Sequence, residues 1–179
     1  MGTSHLKSTA VTNADATPVV ANTAGRGAEA RLHCINGFVT AVASDAAGST
    51  YQLVRVPSNC VIKQVLFASE AQGAGKVQLS VYYGTNDGAT LTVVPTTGAG
   101  FFSDDIDCAS AVAQADYTSN GTSGTGANGY TLDKRNKELW DALGLSSDPG
   151  GWFDIVAVVH TTAVTTGTGK LGVLVYFTA

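Results

Sequence analysis

The chain reads as all-β: a jelly-roll-like antiparallel β-sandwich with one short α-helix and an extended N-terminal arm. Three observations predict this. Apolar, β-branched runs recur at short, regular spacing from Leu32 to Thr178, with turn residues between them. One run, Lys76–Tyr83, alternates strictly: Val77, Leu79, Val81 and Tyr83 against Lys76, Gln78, Ser80 and Tyr82, the period of two of a half-buried strand. Charged residues make up only 13% of the chain, roughly half the usual ~25%, and 21 glycines accompany many Thr, Ala, Val and Ser residues, as in strands joined by small-residue loops. Disorder is not the reading, because 44% of the residues are hydrophobic and the net charge is only −4. At 179 residues the chain fits one domain, over residues 31–179, preceded by an arm.

Residues 1–30 are dominated by Ala, Thr, Asn, Ser and Gly, without helical or strand periodicity, and are expected to form an extended arm lying free or against a partner. Val19 and Val20 break the polar run, and Arg26 and Arg31 are its expected polar anchors; these four are the arm's candidate contacts with a partner or a neighbouring subunit. Leu32–Val42 is an apolar strand in which Gly37 is expected to mark a bulge or bend. Ser44–Ser49 is a loop, and Thr50–Val56 a strand ended by the turn Pro57-Ser58-Asn59. Cys60–Ala68 is a strand apolar on both faces, followed by a glycine-rich turn over Gln72–Gly75. After Lys76–Tyr83, Gly84–Gly88 supplies hairpin-loop residues and Ala89–Val94 the returning strand. Residues 96–131 form a long Gly/Ser/Thr-rich loop region, within which Phe101, Phe102 and Ile106 need cover. Lys134–Leu143 is the helix, with Asp133 as N-cap, Leu139, Trp140 and Leu143 as its apolar stripe and Gly144 at C′. The turn Asp148–Gly151 leads to the closing strands Trp152–Thr161 and Lys170–Thr178.

Those last two strands are largely apolar on both faces: Phe153, Ile155, Ala157 and Val159 alternate with Asp154, Val156, Val158 and His160, and Leu171, Val173, Val175 and Phe177 share their strand with Leu174 and Tyr176. An antiparallel sheet with one face in water alternates apolar and polar residues. A second covering layer is therefore expected: the helix, the long loop, the arm or a neighbouring subunit.

No catalytic or cofactor motif survives its context. Gly124–Gly129 matches GxGxxG by letter, but a polar stretch precedes it and no helix opens on it. Gly167–Lys170 lacks the spacing of a phosphate-binding loop. Ser103–Cys108 carries three carboxylates without calcium-loop spacing and reads as a solvated acidic loop. His5, His33 and His160 are dispersed, and His160 is expected to be a hydrogen-bonded core or interface histidine. Cys34, Cys60 and Cys108 show no CxxC spacing and are expected to form neither a disulfide framework nor a zinc site; Cys34 and Cys60, in or beside apolar strands, are expected to act as small hydrophobes. Asn120-Gly121-Thr122 is a sequon by letter only, and core packing is expected for Trp140 and Trp152. No catalytic residue, cofactor or metal is expected. The pI of about 5.1 argues against nucleic acid, whose phosphates call for a basic patch, and no apolar run suffices to cross a bilayer. The N-terminus shows neither a signal-peptide pattern nor a myristoylation pattern, so synthesis in a cytoplasm is expected.

Two stretches bring a family to mind: Arg55–Phe67 running into Ser69-Glu70-Ala71 and Tyr82-Tyr83-Gly84, and Lys137-Glu138-Leu139-Trp140 with Leu143–Gly151 and Asp154-Ile155. Across residues 32–179 this order of strand, turn and helix resembles that of capsid cement, or head decoration, proteins of tailed bacteriophages. The resemblance implies a jelly-roll-like sandwich that forms a homotrimer, binds the major capsid protein on the outer surface of the virion and reinforces the shell against internal DNA pressure. Synthesis would then take place in the host bacterial cytoplasm. The second functional reading is a carbohydrate- or receptor-binding module of a phage fibre or head appendage, with Tyr82, Tyr83 and Tyr130 as candidate aromatics.

Overall fold

The computed structural model describes residues 31–42, 45–84, 92–94, 99–118, 129–160, 164–165 and 169–179. Among the described residues eight strands are formed: β1 (Leu32–Thr40), β2 (Thr50–Pro57), β3 (Val61–Ser69), β4 (Lys76–Tyr83), β5 (Ser103–Asp107), β6 (Val112–Asp116), β7 (Trp152–His160) and β8 (Lys170–Thr178). They make two antiparallel four-stranded sheets, ordered β1-β8-β3-β6 and β2-β7-β4-β5. The pairing is nested: β4 with β5, β3 with β6, β2 with β7 and β1 with β8, alternating between the sheets. Contacts of β3 with β8 and of β4 with β7 complete each sheet. This is an antiparallel ribbon rolled on itself, the double Greek key of a jelly roll. The all-β sandwich expected from the pattern is the fold observed.

Why the strands lie where they do follows from their inward faces. Phe153, Ile155, Ala157 and Val159 of β7 and Leu171, Val173, Val175 and Phe177 of β8 belong to one core, with Ile62, Val65 and Phe67 of β3 and Val77, Leu79 and Val81 of β4. Burying each such large side chain is worth about 1.5–3 kcal/mol, so a one-residue slip in any of these strands would be prohibitive. Phe101, Phe102 and Tyr130 pack ring on ring, centroids 5.1–5.5 Å apart, and the fully buried Tyr130 hydroxyl donates to the Ile62 carbonyl at 2.6 Å. The cover that the two phenylalanines needed therefore includes Tyr130.

Several expectations are corrected. Gly37 marks no bulge: β1 pairs β8 in unbroken register from Leu32↔Thr178 to Thr40↔Lys170. The glycine is there for space, since a Cβ on it would lie 1.9 Å from the Leu53 carbonyl oxygen. Region 96–131 is not one loop, for β5 and β6 lie within it. The acidic run Ser103–Asp107 is thus an edge strand, with Asp105 bonded to Lys76 at 2.9 Å. Of the predicted strand Ala89–Val94, residues 89–91 lie outside the described residues; Val93 bridges Tyr82 and the Val94 amide donates to Val81.

The helix is also shorter than its pattern. A 3-10 turn covers Leu132–Lys134, and the α-helix, α1, only Leu139–Ala142. Asp133 lies inside the 3-10 turn and caps nothing; Glu138 is the N-cap residue and makes no side-chain cap bond. The first helical amides are satisfied instead by the turn after β2, Leu139 donating to the Cys60 carbonyl at 2.7 Å and Trp140 to Ser58 at 3.1 Å. This docking starts the helix at Leu139 and buries Leu139, Ala142 and Leu143. Gly144, with φ +77°, ends it as expected.

Candidate interaction surface

The two outward faces of the sandwich differ. On the β2-β7-β4-β5 sheet the expected second layer is present: Ser80 and Val156 are fully buried, Val158 nearly so, and the Gly100 amide donates to the Ser80 hydroxyl at 2.9 Å, which places that loop across the face. On the β1-β8-β3-β6 sheet the outward residues of β8, Gly172, Leu174, Tyr176 and Thr178, remain half-buried, and their β1 neighbours are exposed.

Register sets the composition of this open face. Opposite residues of antiparallel strands point the same way. The rows across β1, β8 and β3 are therefore Leu32–Thr178–Val61, Cys34–Tyr176–Gln64, Asn36–Leu174–Leu66 and Phe38–Gly172–Ala68. Every row contains an apolar side chain, and Phe38 and Leu32 stand 67% and 64% exposed. Gly172 has no side chain to fill its row, and between Phe38 and Ala68 lies a groove of about 390 Å³ that also involves Glu70, Lys170 and Leu171. The Lys170 ammonium sits 5.5 Å above the Phe38 ring, so the groove's rim is charged and its floor apolar.

The edge of the sheet adds backbone chemistry. β1 pairs only β8 among the described residues, and its nine residues contain no lysine, glutamate or proline. Natural edge strands are usually shielded by such residues, by bulges or by short length, because an open ladder recruits another strand. β1 has none of these devices. Exposed apolar groups beside an open edge fit a protein partner better than any small-molecule chemistry.

A chain from the capsid of Ralstonia phage GP4 superposes with a TM-score of 0.54 at 11% identity, covering 83% of this chain and 84% of that one. The sandwich is a fold found in a phage capsid. A chain of the cyanophage Pam1 capsid asymmetric unit aligns with a TM-score of 0.44 at 12% identity, over 92% of this chain and 96% of that one. No family model matches the chain, and no curated protein does.

Of the four predicted contact residues, Val19, Val20 and Arg26 lie outside the described residues; Arg31 is exposed immediately before β1, at the end of the open face. Phe38 and Leu66 were not singled out by sequence reasoning, and Leu174 and Tyr176 only as part of a strand apolar on both faces. The available signal was the doubly apolar character of the closing strands, but which face stays open depends on pairing. Tyr130, offered as an exposed aromatic, is fully buried, and Tyr83 packs against Phe153 at 5.7 Å.

Groups with reactive potential are scattered. Among the described residues no set of three or more His, Cys, Asp or Glu side chains is placed to hold a metal, and no helix is long and apolar enough to cross a membrane. His160 is half-buried, and its Nδ1 has no hydrogen-bond partner among the described residues. The cysteines divide: Cys60 is fully buried as expected and Cys108 is fully buried too, but Cys34, expected to act as a small hydrophobe, is exposed on the open face. Burial pushes the Cys60 thiol up to about 12 and raises that of Cys108 as well. Titration of the native chain with a thiol reagent at neutral pH should therefore count one rapidly reacting group, Cys34, and three after unfolding. Two fast groups in the native chain would contradict the burial of the other pair.

Proposed function

We propose that the protein is a structural subunit of a phage virion, a capsid cement or decoration protein seated through the open face of the β1-β8-β3-β6 sheet. The observation that carries this reading is the exposed apolar face with its unshielded edge strand. A fold shared with a chain of the GP4 capsid and the order of turn and helix motifs support it. The partner is the major capsid protein on the outer surface of the head, with self-association as a homotrimer, and the role needs neither catalysis nor a cofactor nor nucleic acid. The arm, residues 1–30, reaches a neighbouring protomer or capsid subunit, with Val19 and Val20 as apolar contacts and Arg26 and Arg31 as polar ones. Each contact is modest, but several per subunit, repeated over a shell, sum by effective concentration.

The test is co-sedimentation of the purified chain with shells of its own virus's major capsid protein, together with light scattering for its mass in solution. The native protein is expected to be a trimer and to saturate the shell. Phe38→Asp puts a charge where an apolar contact is called for; the loss of a central aromatic anchor is worth about 2 kcal/mol or more, at least a tenfold drop in affinity. Phe38 is 67% exposed, so the fold should tolerate the change. Removal of residues 1–30 should weaken occupancy further. Unchanged binding by Phe38→Asp would overturn the choice of face; no binding of the native chain to any shell would overturn the role.

A further inference from the structure

The opposite sheet carries a second surface of different chemistry. Trp152, expected in the core, opens β7 with 52% of its surface exposed. Asp154, two residues along the same strand, projects to the same side. Opposite it on β2 stands Arg55, whose Nε and Nη2 donate to the two carboxylate oxygens at 2.6 and 2.9 Å. The Gln52 amide nitrogen donates to the same carboxylate at 2.9 Å. The register break between Gln52 and Val54 lies beside a groove of about 310 Å³ lined by Gln52, Leu53, Val54, Arg55 and Asp154. Gly84 lies against the bases of both groups: a Cβ there would lie 3.0 Å from Trp152 Cβ and 3.2 Å from Arg55 Nε.

This set has a definite recognition chemistry. The exposed indole offers a flat apolar platform. Beside it stands a rigid polar group, in which Asp154 takes up two of the donors of Arg55. A phosphate or carboxylate would meet the Asp154 carboxylate, which disfavours anions. The Gln52 nitrogen is committed to Asp154, which leaves its carbonyl oxygen as an acceptor for a hydroxyl. A sugar ring matches on both counts, with an apolar C–H face and a rim of neighbouring hydroxyls, and a mostly apolar site with a few fixed polar groups is the usual build of a small-ligand site. We infer that Trp152 and the Gln52–Arg55–Asp154 groove form a binding site for a neutral saccharide, the ring stacking on the indole and its hydroxyls bonding to Gln52 and the rim of the ion pair. The site lies on the sheet opposite the open face, so a chain seated by that face could still present it to a glycan.

The experiment uses the full chain with maltohexaose, cellohexaose, laminarihexaose and chitohexaose as soluble probes, and a glycan array that includes sialylated and sulfated members. Saturation-transfer NMR and calorimetry are expected to find saturable binding to at least one neutral sugar, with Kd on the order of 0.01–1 mM. Trp152→Ala and Gln52→Ala should each weaken it tenfold or more, Trp152→Ala with an unchanged melting temperature because the indole is exposed, and Gln52→Ala with a slightly lowered one because Asp154 loses a hydrogen bond. Trp152→Phe should retain part of the affinity. Absence of binding to every neutral member, binding to anionic members alone, or binding unaltered by Trp152→Ala would each overturn the proposal. Shell binding should be the same in Trp152→Ala as in the native chain, so this site and the capsid contact fail or stand separately.

Discussion

Replacing Gly37 with valine should prevent the chain from folding, and even Gly37→Ala should remove about 3 kcal/mol or more of stability. Close to this position β1, at the edge of one sheet, meets β2, at the edge of the other. A Cβ at residue 37 would stand 1.9 Å from the Leu53 carbonyl oxygen, 2.9 Å from its carbon and 3.1 Å from Val54 Cγ1. The nearest obstacles are backbone, which no rotamer change can clear. β1 is held to β8 by unbroken pairing and β2 to β7, so relief would require the two sheets to part. Overpacking of a close-packed interior typically costs about 1–3 kcal/mol, and a backbone clash belongs at or beyond the top of that range. The measurement is urea unfolding of Gly37→Ala against the native chain, with the midpoint falling and the slope unchanged. A loss below about 0.5 kcal/mol would mean that β1 and β2 do not approach as described.

Asp154→Ala is the second large effect. Asp154 is 2% exposed on a central strand, and three hydrogen bonds converge on it, two from Arg55 and one from Gln52. The substitution removes the charge that balances Arg55 and opens a small cavity. Taking one member from a buried ion pair costs about 3–5 kcal/mol; Arg55 is 35% exposed and keeps some hydration, so about 3 kcal/mol or somewhat less is expected. The pair itself need not be strongly stabilising, because desolvation offsets much of its attraction. Replacing both groups, Arg55→Met with Asp154→Leu, should therefore recover a good part of the loss, and a double-mutant cycle measures the coupling. A single-substitution cost below about 1 kcal/mol would show that the pair does not hold β2 to β7.

These two sites also mark what could be read in the amino-acid order. The strict alternation of Lys76–Tyr83 appears as β4, Pro57 is the last residue of β2, and the punctuation by Gly144 and the Asp148–Gly151 turn falls between elements as expected. The doubly apolar β7 correctly implied a second layer. β5 was missed because its Ser-Asp-Asp-Ile-Asp run has only one apolar side chain, and it is a strand because it lies along the edge of β4 with Ile106 turned into the core. The helix was overextended because a periodic stripe cannot reveal that the 57–60 turn supplies carbonyls only to the amides of Leu139 and Trp140.

The same division holds for the surfaces. Local order alone determined the all-β class, most of the strands and the excess of apolar side chains over what one core face can take, because period and turn chemistry act between near neighbours in the chain. Only the tertiary structure decided that β8 lies between β1 and β3, so that Phe38, Gly172 and Ala68 share one row, and that Trp152 emerges beside Arg55 and Asp154. Those pairings join residues about a hundred or more positions apart. Their register follows from how the whole ribbon buries its inward faces, which no local pattern encodes.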